Sequence, residues 1–140
     1  MPLRASILAP LIAAVLVGAA CSSDGEPSGD GIPVTLTDFA IDVAETSAPA
    51  GTVAFSITND GPTVHEFEVL RTDTPADALP VDSGVVQTTA DGIEIVDEVE
   101  EITPSTDTSL SVDLEPGVYA LICNISGHYG SGMFASFTVE

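Results

Sequence analysis

Four side chains in this sequence are equipped for chemistry, and three of them share one short stretch. Cys123-Asn124-Ile125-Ser126-Gly127-His128-Tyr129-Gly130-Ser131-Gly132-Met133 spells C-x4-H-x4-M between two strand-like segments. A loop of that size can bring thiolate, imidazole and thioether to one point, and the glycines at 127, 130 and 132 permit the turns this requires. The chain holds only two histidines, so a further donor falls to His65. One thiolate and two imidazoles with a more distant thioether form the donor set of a copper centre for one-electron transfer. Structural zinc normally draws four Cys or His ligands, and only three are in view. A coordinating thiol is deprotonated, so metal uptake should release a proton and weaken at low pH.

Composition narrows the alternatives. The 140 residues include 22 Asp+Glu against 2 Lys+Arg, a formal net charge of -20. Neutralising phosphates takes a basic patch, so a nucleic-acid partner is excluded. Two histidines cannot build a three-histidine hydrolytic zinc site, and two cysteines cannot staple a disulfide scaffold. A Cys–His hydrolase fails as well, because no orienting acid accompanies the loop and the thiol takes an inward strand phase. The expectation is therefore a protein that transforms no substrate. The acids are spread along the chain, which reads as a solvated surface.

The N-terminal residues read as a leader. Ala5 to Ala20 is apolar but for Ser6, Pro10 and Gly18, too short for a membrane span and suited to an export signal. Gly18-Ala19-Ala20-Cys21 resembles a bacterial lipobox, with Gly18 in the usual place of leucine. Residues 1–20 are thus expected to be a lipoprotein signal peptide and Cys21 the lipidated N-terminus. The alternative is an ordinary secretory signal with Cys21 a spectator. Residues 21–31 should form a flexible acidic tether, since 22–31 contain no apolar side chain. The folded domain is assigned to 32–140, held by its lipid at the extracytoplasmic face of a cell membrane. A monomer is expected.

The elements that must position the donors alternate with period two. Val53, Phe55 and Ile57 share one phase, as do His65, Phe67 and Val69; Leu110, Val112 and Leu114; Tyr119, Leu121 and Cys123; and Met133, Ala135, Phe137 and Val139. Val34 to Ile41 reads as one strand with a slip between Leu36 and Phe39, hence a bulge. Ile93 to Val99 is a weaker, acid-loaded strand. Residues 71–92 form a long irregular connection with room for one short helical turn at Asp77-Ala78-Leu79. Short strands separated by turns predict an all-β, antiparallel Greek-key sandwich.

Several segments then resemble a known family. Asp38-Phe39-Ala40-Ile41, Pro49-Ala50-Gly51-Thr52-Val53, Asn59-Asp60-Gly61 with His65-Glu66-Phe67, Pro116-Gly117-Val118-Tyr119 and the Cys123–Met133 loop look like a cupredoxin of the plastocyanin-like, rusticyanin or sulfocyanin type. The resemblance implies one type 1 copper ion, with His65, Cys123 and His128 equatorial and Met133 axial. It also implies copper at one end of the sandwich and His128 near the surface as the electron port, facing redox partner proteins. Two positions depart from the pattern. Glu66 stands where plastocyanins and azurins carry an asparagine that ties the ligand segments together, and Ser126 stands where many relatives have proline, which predicts a less rigid loop. Tyr129 and Phe134 could form an apolar docking rim or serve ordinary packing. Copper delivery, storage or sensing, and a metal-free adhesive module, are the competing functions.

Overall fold

The computed structural model describes residues 31–140. The expected signal peptide, the lipidation site Cys21 and all but the last residue of the tether lie outside the described residues. Eleven strands follow in chain order: β1 Ile32–Thr37, β2 Ala40–Val43, β3 Ser47–Ala48, β4 Gly51–Asn59, β5 His65–Thr72, β6 Val81–Asp82, β7 Val85–Val86, β8 Ile93–Ile102, β9 Asp107–Leu114, β10 Gly117–Ile122 and β11 Phe134–Val139. One sheet runs β2-β1-β4-β9, the other β3-β11-β10-β5-β8, with β6-β7 a separate hairpin. The alternation read from the sequence is what closes the sandwich. Phe55 from one sheet meets Phe67 and Phe137 from the other edge-on, with ring centroids 5.3 Å away in each case, a geometry that adds about 0.5–1.5 kcal/mol per pair to plain burial.

The purely antiparallel expectation is corrected. β1 runs parallel to β4 and β3 parallel to β11, so both sheets are mixed. The strand expected across Val34–Ile41 is corrected too. It is a hairpin, β1 pairing antiparallel with β2 in a register that sets Thr37 against Ala40 and leaves Asp38-Phe39 as its two-residue turn. Phe39 takes a φ of 71°, at the turn position where glycine is usual, at a local cost of about 1–3 kcal/mol.

β8 is longer than expected and bulged. Its pairing with β5 shifts register between His65 and Phe67 and again between Val69 and Leu70, with extra residues on β8 each time. Glu101 in the first bulge has φ 52°. Bulges and a row of acids are common defences of an exposed sheet edge against stray pairing. The 71–92 connection contains no helix. It covers the outer face of β5 and β10 with a second apolar cluster of Leu70, Ala76, Leu79, Val86, Ala120, Ile122 and Tyr129. β5 is therefore buried on both faces, which is why Glu68 and Thr72 are buried beside its apolar residues.

Candidate metal centre

Each donor reaches the site for a local reason. Asn59, at the end of β4, is fully buried and braces the approach to His65: its Oδ1 accepts from the Gly61 amide at 2.9 Å, and its Nδ2 donates to the carbonyls of Thr63 and Ile102, both at 2.8 Å. His65 then opens β5, fully buried, with the first β8 bulge alongside. Cys123 lies one residue beyond β10 and Met133 one residue before β11. Between them the backbone closes on itself. The Cys123 amide donates to the Met133 carbonyl at 3.1 Å, and the Met133 amide to the His128 carbonyl at 3.2 Å. A single 3-10 turn, Tyr129–Ser131, follows His128, and Gly132 caps it at φ 118°. A side chain at Gly132 would press on the Phe39 carbonyl, with its Cβ 3.1 Å away.

The donor atoms converge. His65 Nδ1 lies 3.3 Å from His128 Nδ1, while Cys123 Sγ lies 3.5 Å from His128 Nδ1 and 4.0 Å from His65 Nδ1. The circle through three atoms so spaced has a radius of about 2.1 Å, within the roughly 2.0–2.3 Å at which imidazole nitrogen and thiolate sulfur bond a first-row divalent ion. Three donor atoms gathered this closely in a largely buried pocket can share one cation once the thiol loses its proton, so the residues present fit a metal. Cys123 and Met133 are both fully buried, and His128 is half-buried. Among the described residues, His65, Cys123 and His128 form the one group of His, Cys, Asp or Glu side chains gathered closely enough to hold an ion. The soft sulfur, two imidazoles and the buried thioether beside them select copper.

Electrostatics agree with that use. Burial pushes the Cys123 thiol above its ordinary 9.0, against the pull of the Glu66 and Ile125 backbone amides. Burial and the neighbouring His128 hold His65 below 6.5, with Asp38 opposing them. A neutral imidazole and a thiol reluctant to ionise in water are what a metal displacing one proton would meet. Glu66 ties the two ligand segments through its main chain: its backbone amide donates to Cys123 Sγ at 3.3 Å. Asn124 anchors the β6-β7 hairpin, accepting from the Val86 amide at 2.7 Å and donating to its carbonyl at 3.3 Å.

All four sequence-predicted donors thus belong to one end of the sandwich. Of the two readings left open for Tyr129, packing holds: its ring is buried, its hydroxyl donates to the Ala76 carbonyl at 2.7 Å and accepts from the Leu79 amide at 2.9 Å. Phe134 packs on it at 5.4 Å. The exposed apolar groups next to the two histidines in space or in sequence come from elsewhere. Phe39, 46% exposed, stands edge-on to the His128 ring at 5.6 Å, and Val64, 38% exposed, precedes His65. Sequence reasoning passed over Asp38, whose Oδ1 lies 3.3 Å from His65 Nε2, and Asn59, read only as part of a turn.

Comparisons with known proteins complete the description. A family model described as "Cupredoxin-like domain" matches residues 8–134. No curated protein sequence matches the chain. Among solved structures, auracyanin from the photosynthetic bacterium Roseiflexus castenholzii is 20% identical over 78% of this chain and 95% of its own, with a TM-score of 0.60. Rusticyanin from Thiobacillus ferrooxidans is 21% identical over 81% of this chain and 79% of its own, at 0.55. Auracyanin A, described as a "blue" copper protein from Chloroflexus aurantiacus, is 21% identical over 77% of this chain and 99% of its own, at 0.52. At such identities the likeness speaks for the fold.

Proposed function

The chain belongs to the cupredoxin-like domain family, and on that premise we propose that it is a one-electron carrier with a single type 1 copper centre. The observation that carries this reading is the convergence of two imidazole nitrogens and one buried sulfur on a ring of metal-bonding size. Bound copper supplies the Cu(II)/Cu(I) couple. The protein supplies a donor set held before the ion arrives. His65 is fixed by β5, Cys123 and Met133 are tied through their backbones, and the packed core behind them leaves little room to rearrange between oxidation states. His128 reaches the surface and is flanked by the exposed Phe39, so electrons would enter and leave there against an apolar partner surface.

The buried Cys123, whose thiol resists ionisation, is poorly placed to attack a substrate, which supports a carrier over an enzyme. The lipobox-like segment ending at Cys21 supports anchoring at the outer face of a bacterial membrane. The test is visible spectroscopy and voltammetry. Wild-type protein with Cu(II) should show intense visible absorption and a reversible one-electron wave, and Cys123→Ser should lose the band while remaining folded. A colourless complex that binds only Cu(I) and surrenders it to an acceptor would replace this reading with copper delivery.

A further inference from the structure

His65 Nε2 is a buried nitrogen with no hydrogen-bond partner. Asp38 Oδ1 stands 3.3 Å from it, too bent to count as a hydrogen bond. The same oxygen accepts from Thr63 Oγ1 at 2.8 Å, so it is held in place from the far side. Gly61 keeps the gap open: a Cβ there would lie 2.9 Å from His65 Nε2 and 3.0 Å from Asp38 Oδ1. The turn bearing Asp38 is the one in which Phe39 adopts positive φ, and the Phe39 ring meets His128. One strained two-residue turn thus reaches both histidines. Strain held at such a place points toward the site it serves.

We propose that Asp38 is a positioning residue for the metal ligand His65, accepting the Nε2 hydrogen, fixing the Nδ1-binding tautomer and favouring the oxidised ion. The inference rests on the copper reading above. A histidine that gives Nδ1 to a metal carries its hydrogen on Nε2, and a carboxylate facing that hydrogen orients the ring and makes the bound nitrogen more basic. The negative charge also favours the more highly charged state of the ion. A small rotation of the ring or of Asp38 completes the hydrogen bond. The carboxyl is 30% exposed, so its field at the ion is moderated by water.

The experiment compares wild type, Asp38→Asn, Gly61→Ala and Asp42→Asn, an exposed carboxyl on β2 that serves as the charge control. Cu(II) and Cu(I) affinities are measured by chelator competition, midpoint potentials by voltammetry, and His65 tautomer in the metal-free protein by imidazole ¹⁵N resonances. Asp38→Asn should weaken Cu(II) binding by about tenfold or more and Cu(I) binding far less. Each tenfold loss of preference for the oxidised ion raises the potential by about 59 mV. The Nε2–H tautomer should lose its dominance at the same time. Gly61→Ala, which separates the pair without removing charge, should move the potential in the same direction, and Asp42→Asn should leave it unchanged. Should Asp38→Asn fold poorly, as judged by its urea midpoint, Gly61→Ala carries the test. Wild-type values in both variants overturn the role of Asp38 alone. A wild-type protein that takes up no copper overturns the proposed function and this inference with it.

Discussion

Glu68→Gln should free this domain from a pH-dependent loss of stability. Glu68 is 6% exposed, one carboxyl oxygen has no hydrogen-bond partner, and its cross-strand neighbour on β8 is Glu98. Glu66 on its own strand and Glu100 on β8 add further negative charge, and Asn124 is the single favourable neighbour. Burial first, then these like charges, raise the carboxyl from 4.5 to about 7. A raised carboxyl keeps its proton longer in the folded state than in the unfolded one. Between about pH 4.5 and 7 the native state therefore binds more protons, and stability falls as pH rises through that window. At about 1.4 kcal/mol for each tenfold change in proton affinity, the loss is roughly 2–3 kcal/mol between about pH 5 and pH 8. Urea unfolding of the metal-free protein at those two pH values measures it. With a slope of about 1–3 kcal/mol per molar urea, wild type should shift by about 1–2 M relative to Glu68→Gln, which should be the more stable protein at the higher pH. Equal pH dependence in the two proteins would refute the reasoning, because it would show that the fold does not resist the charge.

Three other expectations follow from the packing and the donor set. Phe55→Ala removes the ring that bridges Phe67 and Phe137 and should cost about 3–5 kcal/mol in urea unfolding, whereas a loss under about 1 kcal/mol would mean that the sheets close over the gap. Asn59→Ala strips three backbone partners from the segment leading to His65 and should cost about 2–4 kcal/mol while weakening copper binding; unchanged stability would show that water replaces the amide. Copper uptake near neutral pH should release about one proton, because the thiol is held above 9.0 and must ionise to bind; calorimetry in buffers of differing ionisation enthalpy reads this directly, and no release would remove Cys123 from the donor set.

Period-two patterning carried much of the fold, because each face of each strand meets either apolar core or solvent. It failed where the tertiary structure decides. The parallel pairing of β1 with β4 leaves no local mark, since side-chain alternation is the same in either direction. The Asp38-Phe39 turn was read as a bulge because phenylalanine at positive φ is not a turn signal, and the hairpin stands on partners distant in sequence. The β5 phase showed one buried face, but not that residues 73–92 would cover the other and bury Glu68 with it.

The site divides along the same line. Cys123, His128 and Met133 could be read from spacing because one loop holds them; His65 was reached by elimination, and its inward phase agreed. Asp38 and Asn59 act through approaches between segments far apart in the chain, 3.3 Å from His65 in one case and 2.8 Å from the Ile102 carbonyl in the other. Neither residue type announces such a role. Tyr129 stays open between docking and packing for the opposite reason: a phenol beside a ligand loop suits either role until its hydroxyl is seen bonded to Ala76 and Leu79.

X-ray absorption at the copper edge of the loaded wild-type protein tests the convergence of these donors most directly. One sulfur and two imidazole nitrogens should appear as the strong inner scatterers, and the sulfur should vanish in Cys123→Ser. An inner shell of nitrogen and oxygen alone in wild type would place the copper elsewhere and contradict the account.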